Sequence, residues 1–157
     1  MLYLPFLAAL AALAAIDVER RLLPNRIVYP LAVWGLAATL LLERDALPEH
    51  LLAGAGAFLF LYLAALAHPA GMGMGDVKLA GVMGLYLGVA VIPALLVALF
   101  SGTLAGFGLV LREGAAARKK TVPFGVFLAF GALVAVLGGG ELIELYEHEF
   151  LSDGSQA

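Results

Sequence analysis

The sequence predicts an all-α integral membrane protein, a bundle of six transmembrane helices with both termini on the non-cytoplasmic side. Three observations lead there. Of the 157 residues, 63% are hydrophobic and only 13% are charged, against about 25% charged in an ordinary soluble domain. Mean hydropathy is +1.01, so there is too little polar surface to cover a globule. The apolar residues fall into six blocks, and the basic residues between them gather in alternate connections.

The blocks run at about 2–16, 27–42, 51–67, 77–92, 93–111 and 122–140. The first lacks the basic flank of a signal peptide, and no polar mature domain follows it. It reads as a retained helix that is short for a span, which needs about 20 residues. Pro24-Asn25 marks the turn into the second block. Residues 77–111 as one helix would measure about 52 Å, more than the ~30 Å hydrocarbon core. The sequence therefore predicts a break into two helices near Gly88 to Pro93. Ala80, Gly84 and Gly88 share one helix face, and Gly102 with Gly106 another; that spacing suits close helix packing in lipid. The membrane unit spans 1–140, followed by an acidic tail at 141–157.

Charge sets the orientation. Arg20, Arg21, Arg26, Lys78, Arg112, Arg118, Lys119 and Lys120 lie on one side by this segment count, and only Arg44 on the other. The positive-inside bias places the basic side in the cytoplasm. Glu43, Asp45, Glu49, Glu141, Glu144, Glu147, Glu149 and Asp153 fall on the outer side.

Two carboxylates stand at the edges of apolar blocks. Asp17 ends the first. Asp76 opens the fourth, after the glycine-rich run Gly71-Met72-Gly73-Met74-Gly75 and before Val77-Lys78-Leu79. A carboxylate at the mouth of a lipid-embedded helix is costly and marks a functional site. An even number of crossings separates the two, so both fall at the cytoplasmic face. Two carboxyls brought together share one proton. The ionised member takes a proton from water and the protonated member donates to a carbonyl oxygen, which is general acid–base hydrolysis of a peptide bond. Gly73 and Gly75 would let a substrate backbone come close, or simply form a flexible loop. Lys78 reads as an interfacial anchor or, more sharply, as a charge tuning one of the aspartates.

Other chemistries fit less well. With no cysteine, thiolate catalysis, disulfides and cysteine zinc sites are excluded. Ser101, Ser152 and Ser155 have no suitably placed histidine, and His50, His68 and His148 are scattered, so no metal or cofactor is expected. The basic residues form no nucleic-acid footprint. A small transporter, or a non-catalytic assembly subunit that merely binds partner helices, is the alternative use of the same acids.

The motifs carry a resemblance. Asp17 followed by Leu23-Pro24-Asn25, then Gly73-x-Gly75-Asp76-x-Lys78-Leu79, then Val122-Pro123-Phe124-Gly125-Val126-Phe127-Leu128-Ala129 resembles the type IV prepilin leader peptidases, GxGD-class intramembrane aspartyl proteases. Three motifs in order over roughly residues 10–135 make the match specific. The resemblance implies catalytic roles for Asp17 and Asp76, with Gly73, Gly75, Lys78, Pro24, Asn25, Pro123, Phe124 and Gly125 as supporting or substrate-binding residues. It implies removal of the short basic leader of prepilins or pseudopilins, usually after a glycine, at the cytoplasmic face of the inner membrane. The partners implied are the substrate leader with its apolar helix and the lipid bilayer. Many bacterial members carry an N-terminal domain with paired CxxC motifs that methylates the new N-terminus. This chain starts in a membrane segment and has no cysteine, like the short peptidase-only members of Tad-type pili and archaeal preflagellin systems, and cleavage without methyl transfer is expected. The Pro-Phe-Gly stretch leans toward the bacterial branch.

Overall fold

The computed structural model describes residues 3–67, 72–114 and 123–150, with side chains as far as Gly138 in the last helix. Gly71, Val122, residues 118–120 and the last seven residues lie outside the described set. Among the described residues the chain forms six α-helices and no strand: α1 Tyr3–Arg20, α2 Asn25–Leu42, α3 Leu47–Ala67, α4 Met74–Leu87, α5 Val91–Glu113 and α6 Phe124–Phe150. The stretches Asn25–Leu42, Arg44–Ala67 and Met74–Glu113 are long and apolar enough to cross a membrane, and Phe124–Gly138 is a shorter apolar helix. Large apolar side chains such as Trp34, Phe60, Phe100 and Leu111 point outward. In water such a surface would aggregate; against lipid it is the expected exterior. The chain is a multi-pass membrane protein.

Several helices outrun their apolar blocks, because hydropathy marks the lipid-embedded part and the backbone ladder continues past it. α1 extends through Arg20, so Asp17 lies within its last turn. It stops where Arg21 takes a left-handed φ of 52°, and the Arg21 amide donates to the Asp17 carbonyl at 2.8 Å. α3 begins at Leu47, after a 3-10 turn over Arg44–Ala46. Pro48 sits in its first turn, where a missing N–H costs nothing. α4 begins at Met74, so Gly75, Asp76 and Lys78 are helical residues. α6 continues past residue 140 to Phe150.

The break in the 77–111 region falls at Gly88, ahead of Pro93. Gly88 has φ +54°, a conformation natural to glycine, and a 3-10 turn over Gly88–Ala90 leads into α5. Pro93 is then a first-turn residue of α5. Helix α3 clamps this turn: Glu49 Oε1 accepts the Val89 amide at 3.1 Å, and His50 Nδ1–H donates to the Leu85 carbonyl at 2.8 Å. The carbonyl at the end of α4 is thereby satisfied. From Gly88 the chain reverses. α5 runs antiparallel to α6, with Ala94 against Gly131 and Gly102 against Phe124.

α4 is the buried axis of the bundle, with nine of its 14 residues buried. Tyr86 ties it to two neighbours. Its ring stacks on Phe6 of α1 at 4.2 Å, and its hydroxyl donates to the Leu31 carbonyl of α2 at 2.9 Å. Against α3 the contact is backbone to backbone: a Cβ on Gly84 would lie 2.5 Å from the Gly54 Cα. Gly84 and Gly102 are thus packing residues, as their spacing suggests. Gly88 is a turn residue, and Gly106 faces open space.

Gly84→Ala forces two backbones apart and should lower stability by about 1–3 kcal/mol, while Gly106→Ala should be neutral or stabilise by up to about 1 kcal/mol through helix propensity. Thermal unfolding in detergent measures both; equal effects would contradict the α3–α4 packing.

Candidate active site at three helix ends

The last turn of α1, the first turn of α4 and the first turn of α6 meet at one end of the bundle, closed by the connector from Arg21 to Pro24. Asp17 comes from the first, Asp76 from the second and Gly125 from the third. Both carboxyls are buried, Asp17 at 5% exposure and Asp76 at 8%, and they lie within electrostatic reach of each other. The even number of segments between them therefore does bring the two acids to one end.

Their hydrogen bonding differs. Asp17 Oδ2 accepts the Gly125 amide at 2.9 Å, a contact 108 residues apart in sequence. That N–H is free because it belongs to the first turn of α6, where backbone donors have no helical partner. A Cβ on Gly125 would lie 2.8 Å from Asp17 Oδ2, so any side chain there would displace the carboxylate from its present position. Among the described residues, Asp76 Oδ1 is buried with no hydrogen-bond partner. Its own amide donates to the Gly73 carbonyl at 3.1 Å. A buried carboxyl oxygen without a partner costs several kcal/mol when charged, and a fold retains one where it has a use.

The other residues singled out from the motifs take different places. Gly75 supports the site sterically: a Cβ there would lie 2.8 Å from Leu23 Cβ. Gly73 precedes α4 in an extended conformation, and a Cβ would have 3.7 Å to Asp76 Oδ2, so space does not require glycine there. Pro24 is the N-cap residue of α2. Pro123 leads into α6, and Phe124 packs against Gly102 of α5. Lys78 turns away from the pair. Its Nζ donates to Asn25 Oδ1 at 3.2 Å and to the Tyr29 hydroxyl at 2.9 Å, and it lies 5.1 Å from the Tyr29 ring centroid. These contacts join α2 to α4, and neither of them is with an aspartate.

Sequence reasoning missed two participants. Leu23 rests between Gly75 and Gly125, 3.4 Å from the latter's Cβ position; its signal was an apolar side chain held between arginines and a proline. Tyr29, the partner of Lys78, carried no motif that singled it out. A cavity of about 540 Å³ lies elsewhere, between α3 and α5, lined by Gly56, Phe60, Val91, Leu95 and Leu99 among others. It contains none of the site residues.

Lys78→Met removes two hydrogen bonds and a ring contact and should cost about 1–2 kcal/mol. In a cycle with Tyr29→Phe the losses should fall short of additive by thermal unfolding; strict additivity would mean that the two side chains act independently.

Comparison with known proteins points to one family. The model of the type IV leader peptidase family matches residues 4–139. A prepilin leader peptidase/N-methyltransferase from Bacillus subtilis (strain 168) is 34% identical over 142 residues, which is 90% of this chain and 57% of the relative. Proteins of the same name from Aeromonas hydrophila and Legionella pneumophila are each 32% identical, over 90% and 87% of this chain and 51% and 50% of their own lengths. The chain thus spans about half the length of the curated relatives it matches. No solved structure matches it. With a match running from residue 4 to residue 139, and with Asp17, Asp76 and Gly125 of its three motifs converging at one end of the bundle, the chain belongs to the type IV leader peptidase family.

Proposed function

We propose that this chain is a membrane-embedded aspartyl endopeptidase that removes the short basic leader from prepilin or pseudopilin-like substrates, with Asp17 and Asp76 as its catalytic pair. The observation that carries the reading is the burial of both carboxyls together where α1, α4 and α6 meet. Like charges so placed hold one proton between them. The ionised carboxylate takes a proton from water, whose oxygen bonds to the scissile carbonyl carbon. The protonated carboxyl donates to the carbonyl oxygen. Collapse of the tetrahedral species breaks the C–N bond, and a proton passes to the leaving amine. The side chains present suffice for this sequence of steps. Gly125 holds Asp17 in place through its amide, and the convergence of both acids at one end supports hydrolysis over a transport path.

The reading extends to the membrane. On this reading the chain crosses six times, with the aspartates at the cytoplasmic face of the inner membrane and both termini outside; the basic residues Arg20, Arg21 and Arg26 near the site, against Arg44 at the other end, support that orientation. Residues 1–140 form the peptidase unit and 141–157 an acidic outer tail. The substrate's apolar helix lies in the bilayer beside the bundle and presents its leader at the site. The leader peptidase names of the relatives support this choice of substrate.

Asp17→Asn and Asp76→Asn should each lower leader removal from a prepilin by about 10²–10⁴-fold with unchanged helix content and detergent-extracted yield. Full processing by either variant would refute the assignment. Because the chain has no native cysteine, single cysteines introduced at Arg26 and Arg44 report topology directly. A membrane-impermeant thiol reagent added from outside should label Arg44→Cys alone; labelling of Arg26→Cys instead would invert the proposed orientation.

A further inference from the structure

The carboxyl pair is closed off in this structure, and Leu23 packs on the glycines beside it. Asp17 and Asp76 are 5% and 8% exposed, yet hydrolysis requires water and an extended peptide within hydrogen-bond reach of both. Leu23 belongs to the four-residue connector between α1 and α2. Its Cβ lies 2.8 Å from the Cβ position of Gly75, the residue before Asp76, and its Cδ2 lies 3.4 Å from that of Gly125, whose amide holds Asp17. The side chain therefore bridges the glycines flanking the two acids.

We propose that Leu23 is the gate of the site: seated on Gly75 and Gly125, it fills the approach to the carboxyl pair that water and substrate must use, and it swings aside to admit them. This rests on the peptidase reading above. Three features suit the connector to that motion. Its backbone hydrogen bonds lie at its two ends, from the Arg21 amide to the Asp17 carbonyl and from the Ile27 and Val28 amides to the Pro24 carbonyl, so Leu22 and Leu23 can move without breaking them. The contacts of Leu23 with the two glycines are apolar and non-directional, so a substrate side chain can replace them. Arg21 holds a left-handed φ of 52°, which other backbone conformations would relieve. Glycine at 75 and 125 then has a second use, since the surface Leu23 vacates is flat backbone on which an extended peptide can lie. Lids of this kind exclude water until substrate arrives.

The test uses the whole chain in detergent without substrate. A water-soluble carbodiimide with an amine nucleophile marks reachable carboxyls, read by mass spectrometry at Asp17 and Asp76. Leu23→Ala should raise labelling of the pair at least about threefold, and Leu23→Val less, as expected when local opening limits access. Leu22→Ala, at an exposed neighbour, should match the wild type. In cleavage assays Leu23→Ala should lower KM with kcat little changed, and Leu23→Trp should lower kcat/KM; a merely structural role would not split the two constants. Labelling unmoved in both Leu23→Ala and Leu23→Val overturns the gate even where the wild type cleaves prepilin. Labelling that rises while the wild type itself cleaves no leader leaves the gate standing and removes the peptidase reading.

Discussion

The hydrogen bond from the Gly125 amide to Asp17 Oδ2 joins the end of the first helix to the start of the last. Much of the site depends on it. It brings α6 against α1 and gives one acid a fixed partner, whereas Asp76 Oδ1 has none among the described residues. A side chain at residue 125 would crowd the same carboxylate oxygen, so the Asp17 side chain would have to shift to keep the bond. Steric permission and electrostatic support come from one residue, which accounts for a glycine in the Pro-Phe-Gly motif without appeal to flexibility.

The rest of the bundle keeps that end assembled. α4 carries Asp76 in its first turn and is enclosed by α2, α3 and α6. Its far end is fastened by Tyr86, by His50 on the Leu85 carbonyl, and by Glu49 on the Val89 amide. A helix of 14 residues measures only about 21 Å, short of a ~30 Å hydrocarbon core. Enclosure by neighbours and polar partners at its end allow so short an element at membrane depth. Near the site, Lys78 ties α4 to α2 through Asn25 and Tyr29. Fixing α4 at both ends fixes the depth of Asp76.

What was legible in the sequence follows from which forces leave a linear trace. Hydropathy gave the helical class and the rough place of each helix. Parity of the segments brought Asp17 and Asp76 to one end, and the motifs pointed to the family. Helix ends were less legible, because the ladder runs past the apolar block into residues such as Val18 to Arg20 and Glu49-His50. Long-range contacts left no trace. Nothing in the local sequence says that Leu23 packs on Gly75, or that Lys78 bonds Tyr29 and not an aspartate. Gly106 shares the spacing of Gly102 yet faces open space, since spacing shows which face a residue occupies and not whether a neighbour covers it.

The central claim is that the buried acid pair directs water, and no side chain of the protein, onto a peptide bond. Cleavage of a purified prepilin by the detergent-solubilised chain in ¹⁸O-enriched water tests it most directly, with the released leader weighed by mass spectrometry. The account predicts a leader carrying heavy oxygen at its new C-terminal carboxyl and no covalent adduct on the enzyme at any time. An acyl adduct on the chain, or no leader released by the intact protein, would contradict it.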